Sequence, residues 1–302
     1  MRVLITGAAG LVGTAVVREF LEQGYEVCAL DIKPVAAEFR ERVETVYADI
    51  ADKNALLKAS EGCGAIVHLA ALGSMYMTED RVFHTNVIGT QRVLATAEVM
   101  GIERVAIASS NCALGMLYSD GKRVPQYLPV DELHPTLADD YYGLSKIVDE
   151  QTAAGFARRG KMTIVSLRLC NVLNFKRGPQ YQEWQRRRLV EQIDLRYNDL
   201  WAYIFQEDAA RAFRLAIEAP LQGHHVIHVS AKDSYTVHDV RELVRKNLPE
   251  LADSCDKLEP RQSLYDLTQA KEKLGFSNTK SWRDMPELAA VENAEPEPEP
   301  ES

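Results

Sequence analysis

The sequence predicts an α/β fold: a doubly wound parallel sheet with helices on both faces and a small C-terminal region appended. Three observations predict it. Short apolar runs alternate with longer amphipathic ones from the first residues to about residue 171. Those apolar runs lack the polar alternation of a half-exposed strand, as strands buried on both faces should. A glycine-rich segment, Gly7-Ala8-Ala9-Gly10-Leu11-Val12-Gly13, joins the first apolar run to the first amphipathic one.

The elements follow in order. Residues 3–6 form the first strand and residues 11–23 the first helix. A second strand closes on Val27-Cys28-Ala29-Leu30-Asp31. A short strand at 43–47, a helix at 53–60 and a strand at 65–69 come next, then a long helix over 80–100 and a strand at 105–109. A helix over 139–159 leads into a strand at 162–169. Past Asn171 the rhythm stops, and 175–198 is rich in Arg, Gln and Tyr without a strand pattern. A helix at 208–219, a strand at 225–229, a helix at 237–247 and a short helix at 264–274 complete the chain. Residues 1–171 thus form the main domain, and 172–290 a substrate-side region with elements returning to the sheet. Residues 291–302 form a Glu-Pro tail that cannot bury apolar surface and is expected to be disordered.

Composition narrows the function. The net charge is −9, of which −5 comes from the tail, leaving −4 for the body. With no basic face, no nucleic-acid or membrane partner is expected. Met1-Arg2 runs directly into a strand, no apolar run reaches membrane-spanning length, and the five cysteines are scattered without Cys-x-x-Cys spacing. Neither a disulfide framework nor a metal site is expected, and a reducing cytoplasm fits. Cys112 lies near the candidate site but has no neighbouring His to activate it.

Glycines between a strand and a helix allow a tight turn and close approach of backbone to a pyrophosphate, while the helix N-terminus offers unpaired N–H groups. Gly7, Gly10, Leu11, Val12 and Gly13 are therefore cofactor candidates. Asp31 ends the second strand, where a carboxylate can accept hydrogen bonds from an adenosine ribose. Its charge opposes a 2′-phosphate, and Ile32 rather than Arg follows it, so NAD is preferred over NADP; Lys33 argues the other way.

Tyr142-Gly143-Leu144-Ser145-Lys146 lies on a predicted helix, where residues four apart share a face. A phenol with an ordinary pKa near 10 is a poor base at neutral pH. A neighbouring ammonium and a cationic nicotinamide favour the phenolate, so Tyr142 can take or return a hydroxyl proton. Tyr141 lacks a Lys at i+4. A hydroxyl partner is expected at the end of the strand at 105–109, from Ser109 or Ser110.

The spacing Gly-x-x-Gly-x-x-Gly resembles the extended short-chain dehydrogenase/reductase family, the NAD-dependent epimerases and dehydratases, whose Rossmann fold would span residues 1–171. Asp49-Ile50 matches the family's adenine-contacting pair, and His68-Leu69-Ala70-Ala71 matches its loop against the cofactor. Asn86 sits in an Asn-Val-x-Gly-Thr segment. The resemblance implies that Ser110, placed by Gly115, is the catalytic hydroxyl and that Ser109 lies nearer the cofactor. It also implies that Lys146 bonds the nicotinamide ribose. Arg168-Leu169-Cys170-Asn171-Val172 resembles Arg-x-x-Asn-Val, which puts Cys170 beside the cofactor and Asn171 beside the substrate. A homodimer through the helices at 80–100 and 139–159 is implied as well.

The substrate motifs depart from the family. Asn111-Cys112 replaces the Asp-Glu of the dehydratases. Trp201 stands where nucleotide-sugar enzymes carry a diphosphate-binding arginine, leaving Arg186, Arg187 or Arg188 as substitutes if the substrate has a nucleotide. Ser109-Ser110-Asn111 and the compact insert are similar to the uronate dehydrogenases of the family; Ser74, Asn111 and the arginines would then bind hydroxyls or a carboxylate. Three readings follow: an NAD-dependent dehydrogenase of a sugar or sugar acid, a nucleotide-sugar epimerase with tightly held NAD, or a non-catalytic NAD-binding regulatory protein.

Overall fold

A computed structural model describes residues 1–73, 79–118, 123–175, 178–190, 197–285 and 288. Its elements are β1 (Arg2–Thr6), α1 (Leu11–Glu22), β2 (Glu26–Asp31), β3 (Glu44–Tyr47), α2 (Lys53–Ala59), β4 (Cys63–His68), α3 (Glu79–Phe83), α4 (Gly89–Met100), β5 (Arg104–Ser110) and α5 (Tyr141–Arg159). There follow β6 (Thr163–Leu169), β7 (Asn171–Leu173), α6 (Pro179–Val190), β8 (Tyr203–Phe205), α7 (Gln206–Glu218), β9 (His224–Val229), α8 (Val240–Asn247) and α9 (Thr268–Leu274).

Seven parallel strands form the main sheet in the order β3-β2-β1-β4-β5-β6-β9. Successive side chains of a strand point to opposite faces, so the missing polar alternation is explained by two cores. Val3, Ile5 and Val67 join one core with α1 and α7. Leu4, Ile66, Val105 and Ile107 join the other with Val93 of α4 and Phe156 of α5. Chain order reverses between β1 and β4, which leaves a crevice at their C-terminal ends, the place where such sheets bind ligands.

The region after Asn171 divides. β9 returns to the main sheet beside β6, pairing Leu169 with Val229. α7, α8 and α9 pack into the first core through Phe213, Val244 and Ala270, and a small third core gathers Leu173, Tyr203, Tyr235 and Trp282, with β7 and β8 as a two-stranded sheet that periodicity did not reveal.

Two sequence expectations are corrected. The helix over 80–100 is interrupted by a wide π turn at His84–Ile88 that carries the buried Asn86. The segment expected to be helical from 264 begins its helix only at Thr268. Leu264 and Asp266 instead bond Val130, with Val130 N–H donating to the Leu264 carbonyl at 2.8 Å and Asp266 N–H to the Val130 carbonyl at 2.8 Å. A long-range partner has taken the backbone groups that a helix would use internally. Ser74 and the tail at 291–302 lie outside the described residues.

Candidate active site

The crevice between β1 and β4 opens into a cavity of about 300 Å³. Gly7, Gly10, Asp31 and Ile32 line it, together with Asp49, Ile50, Leu69, Ala70 and Ala71. Gly7 has φ +70°, and a Cβ there would lie 2.6 Å from the Ala70 nitrogen. A Cβ on Gly13 would lie 2.0 Å from the Gly7 carbonyl oxygen. Gly7 thus gives the loop its left-handed turn, and Gly13 lets α1 seat against it. Leu11, Val12 and Gly13 stand at the start of α1, behind the cavity. The Asp31 carboxylate is fixed by two backbone donors, Ala9 N–H and Lys33 N–H, each at 2.9 Å. Bare loop backbone, a helix N-terminus and an oriented carboxylate fit the pyrophosphate and ribose of NAD.

Arg81 and Thr85 also line this cavity, and sequence reasoning missed both. Their spacing of four residues was the available signal, since it puts them on one face of a helical segment.

Asn86 is buried in the π turn, and its side chain is committed to protein partners. Its Oδ1 accepts from Leu72 N–H at 2.8 Å, and its Nδ2 donates to the Leu72 carbonyl at 3.1 Å and to Ser145 Oγ at 2.9 Å. Ser145 in turn donates to the Tyr142 carbonyl at 2.7 Å. Asn86 therefore clamps the loop that walls the cavity to the helix that carries Tyr142.

α5 starts where Asp140 accepts a hydrogen bond from Gly143 N–H, so Tyr142 lies in its first turn, above the end of β5. Ser110 ends that strand, and its hydroxyl accepts from Cys112 N–H at 3.1 Å and stands beside the Tyr142 phenol, whose proton loss it favours. Lys146 is buried, with its ammonium 5.7 Å from the centre of the Tyr142 ring. Ser110, Tyr142 and Lys146 are thus brought together as expected. Burial holds the Tyr142 phenol above the ordinary tyrosine range, the Cys112 thiol adds to this, and the Ser110 hydroxyl works against it. Burial also pushes the Cys112 thiol up to about 12, which leaves it a protonated wall residue rather than a nucleophile.

Ser109 and Ser110 diverge, as neighbours on a strand must. Ser109 donates to Glu150 Oε1 at 2.6 Å. Arg168 of β6 grips the same carboxylate with two bonds of 2.8 Å, and both side chains of the ion pair are almost wholly buried. This fork ties α5 to β5 and β6 about two helical turns beyond Tyr142. Cys170 donates its thiol to the Val229 carbonyl.

On the other side of Ser110, Asn111 Nδ2 donates to the Tyr265 hydroxyl at 3.2 Å, and both residues are buried. Tyr265 was missed because it lies 154 residues from Asn111. Asn171 Nδ2 is buried without a hydrogen-bond partner, an unsatisfied donor just past the end of β6. Trp201 is wholly buried in the core with φ 50°, so no guanidinium can occupy its place without opening that core. Arg186 and Arg187 pair with Glu183 on exposed α6. Arg188 is held by Asp199 at 3.0 Å. No His, Cys, Asp or Glu cluster among the described residues could hold a metal, and no described helix is long and apolar enough to cross a membrane.

The match to known proteins agrees with this geometry. Residues 3–231 match the NAD dependent epimerase/dehydratase family. Uronate dehydrogenase of Pseudomonas putida is 30% identical over 237 residues, 78% of each chain. A short-chain dehydrogenase/reductase superfamily protein from Agrobacterium tumefaciens, solved with bound NAD, superposes with TM-score 0.71 at 24% identity over 96% of this chain and 97% of that one. UDP-glucose 4-epimerase from Thermotoga maritima gives TM-score 0.69 at 23% identity over 97% and 98%. The chain therefore belongs to the NAD-dependent epimerase/dehydratase family of extended short-chain dehydrogenases/reductases, and is an NAD-dependent enzyme.

Proposed function

We propose that the protein is an NAD-dependent dehydrogenase acting on a secondary hydroxyl of a free sugar or sugar acid. The observation that carries this is the convergence of Ser110, Tyr142 and Lys146 beside the glycine cradle. NAD, when bound, supplies hydride chemistry at the carbon bearing that hydroxyl. Ser110 holds the reacting oxygen through its hydroxyl. Tyr142 takes the hydroxyl proton in oxidation and returns it in reduction. Lys146 favours the phenolate by its charge and anchors the nicotinamide ribose. Asn111, with its amide oriented by Tyr265, and Asn171, with its unpaired Nδ2, are the proposed substrate donors; Ser74, outside the described residues, completes the set.

The choice of a free sugar over a nucleotide sugar rests on charge. Trp201 sits in the core, and each of Arg186, Arg187 and Arg188 already has a carboxylate partner. A diphosphate would lack the bidentate arginine that holds it elsewhere. The likeness to uronate dehydrogenase supports the same choice. Incubation with NAD⁺ and a panel of uronates, aldoses and nucleotide sugars tests it. Net NADH is expected from a free sugar or uronate. Interconversion of a nucleotide sugar without net NADH would make the protein an epimerase, and inertness toward the whole panel would favour a regulatory NAD-binding role.

The proposed assembly is a homodimer through α4 and α5. Val99 at 70% exposure and Leu144 at 36% leave apolar surface on those two helices. Light scattering at micromolar concentration is expected to give twice the chain mass, and a monomer mass would refute the dimer.

A further inference from the structure

Tyr142, Lys146 and Asp149 succeed one another on one face of α5, at spacings of four and three residues. The Lys146 ammonium thus stands between the phenol and a carboxylate: 5.7 Å from the Tyr142 ring centre and 3.3 Å from Asp149 Oδ2. Both side chains of the ion pair are almost completely buried, at 4% and 1% exposure, so water screens them little. Asp149 Oδ1 is buried with no hydrogen-bond partner, and the reaction scheme above makes no use of this carboxylate. We propose that Asp149 is a positioning residue, a buried counter-ion that anchors Lys146 and sets the pH at which Tyr142 passes from proton donor to proton acceptor. The proposal rests on the reading of Tyr142 as the acid–base group.

Beside a bare ammonium a phenol gives up its proton more readily; beside an ammonium already matched by a carboxylate it feels a dipole instead of a full charge. Asp149 therefore keeps Tyr142 protonated to higher pH and favours proton donation near neutrality.

The other groups facing the pair are accounted for. From β4, His68 is held neutral, with burial and then the Lys146 charge pushing its imidazole down to about 3. Its ring nitrogens contact Thr6 Oγ1 at 2.7 Å and Thr90 Oγ1 at 3.1 Å. From α4, Thr90 stands beside the Asp149 carboxylate and, after Lys146, favours its charged form against the burial that pushes the carboxyl up. From the end of β5 come Ser110 and the protonated Cys112, and Tyr118 lies near the phenol. On the helix itself, Glu150 is matched by Arg168, and Asp140 caps the first turn.

The test is Asp149→Asn in the full chain, read in two ways. The acid limb of kcat/KM for oxidation is expected to move to lower pH by about one unit, raising the rate below the limb up to about tenfold. Independently of any substrate, the tyrosinate absorbance of the NAD⁺-saturated protein, taken as the difference from the same protein carrying Tyr142→Phe, should shift in the same direction. Asp149→Glu, which keeps the charge, should leave both curves near their original positions. Asp149→Ser provides a second neutral variant if the first does not fold. Coincident tyrosinate curves for a neutral variant and the parent would overturn the proposal, even if melting temperature fell, because packing alone would then be the role of Asp149. Full turnover in Tyr142→Phe would instead refute the acid–base reading, a different result from a different protein.

Discussion

Tyr142→Phe is expected to reduce kcat by about 10²–10⁴-fold while NAD⁺ affinity changes little. The substitution removes one oxygen and keeps the ring that packs beside Lys146, so the cradle around Gly7, Asp31 and Ala70 is untouched. What is lost, on the proposed mechanism, is the group that carries the reacting proton. Ser110 cannot replace it, because a hydroxyl at the end of β5 has no ammonium at the next helical turn to favour its anion. Steady-state turnover with the best substrate from the sugar panel, alongside fluorescence titration with NADH, separates the two quantities. A variant that kept more than about a tenth of parental kcat would remove Tyr142 from the proton-transfer role.

Arg168→Met is expected to destabilise the fold by about 3–5 kcal/mol. Arg168 is the sole cation gripping Glu150 in the hydrogen bonds described, and the carboxylate is nearly inaccessible to water. Without the guanidinium the Glu150 charge is stranded between α5, β5 and β6, and Ser109 supplies only one neutral donor. Glu150→Gln with Arg168→Met should recover much of the loss, because a neutral amide beside an apolar thioether is cheaper to bury than one unpaired charge. Urea unfolding of the parent, both single variants and the pair gives the coupling energy. A double variant whose loss equals the sum of the two single losses would show that Arg168 and Glu150 are not coupled.

Much of the molecule was legible because it is written in short-range periodicity. Buried strands declare themselves by unbroken apolar runs, and a Tyr and Lys four apart share a helix face whatever the helix later packs against. The glycine segment was legible for a similar reason: the left-handed turn at Gly7 and the contact of Gly13 with the Gly7 carbonyl lie within one strand–turn–helix, although the close approach of Gly7 to Ala70 does not. Where sequence reasoning failed, a distant partner had intervened. The helix expected from 264 lost its first turn to Val130, and the helix over 80–100 widened around Asn86, whose partners Leu72 and Ser145 lie on either side of it in sequence. Asp149 is the instructive case. Three residues after a lysine it looks like a solvent-exposed helix pair, and only the packing of α4 and β4 over that face makes it a buried counter-ion.

By itself, then, the sequence determined the parallel sheet, the glycine-rich turn and the Tyr142–Lys146 pair, since each depends on residues a few positions apart along one strand, turn or helix. The tertiary structure decided that Ser110 rather than Ser109 meets the phenol, that Tyr265 orients Asn111, that Trp201 is core, and that Lys146 carries Asp149 at its back. Those outcomes depend on strand register and on which face of a helix is covered. Both are settled by packing between segments tens to hundreds of residues apart, where local spacing carries no information.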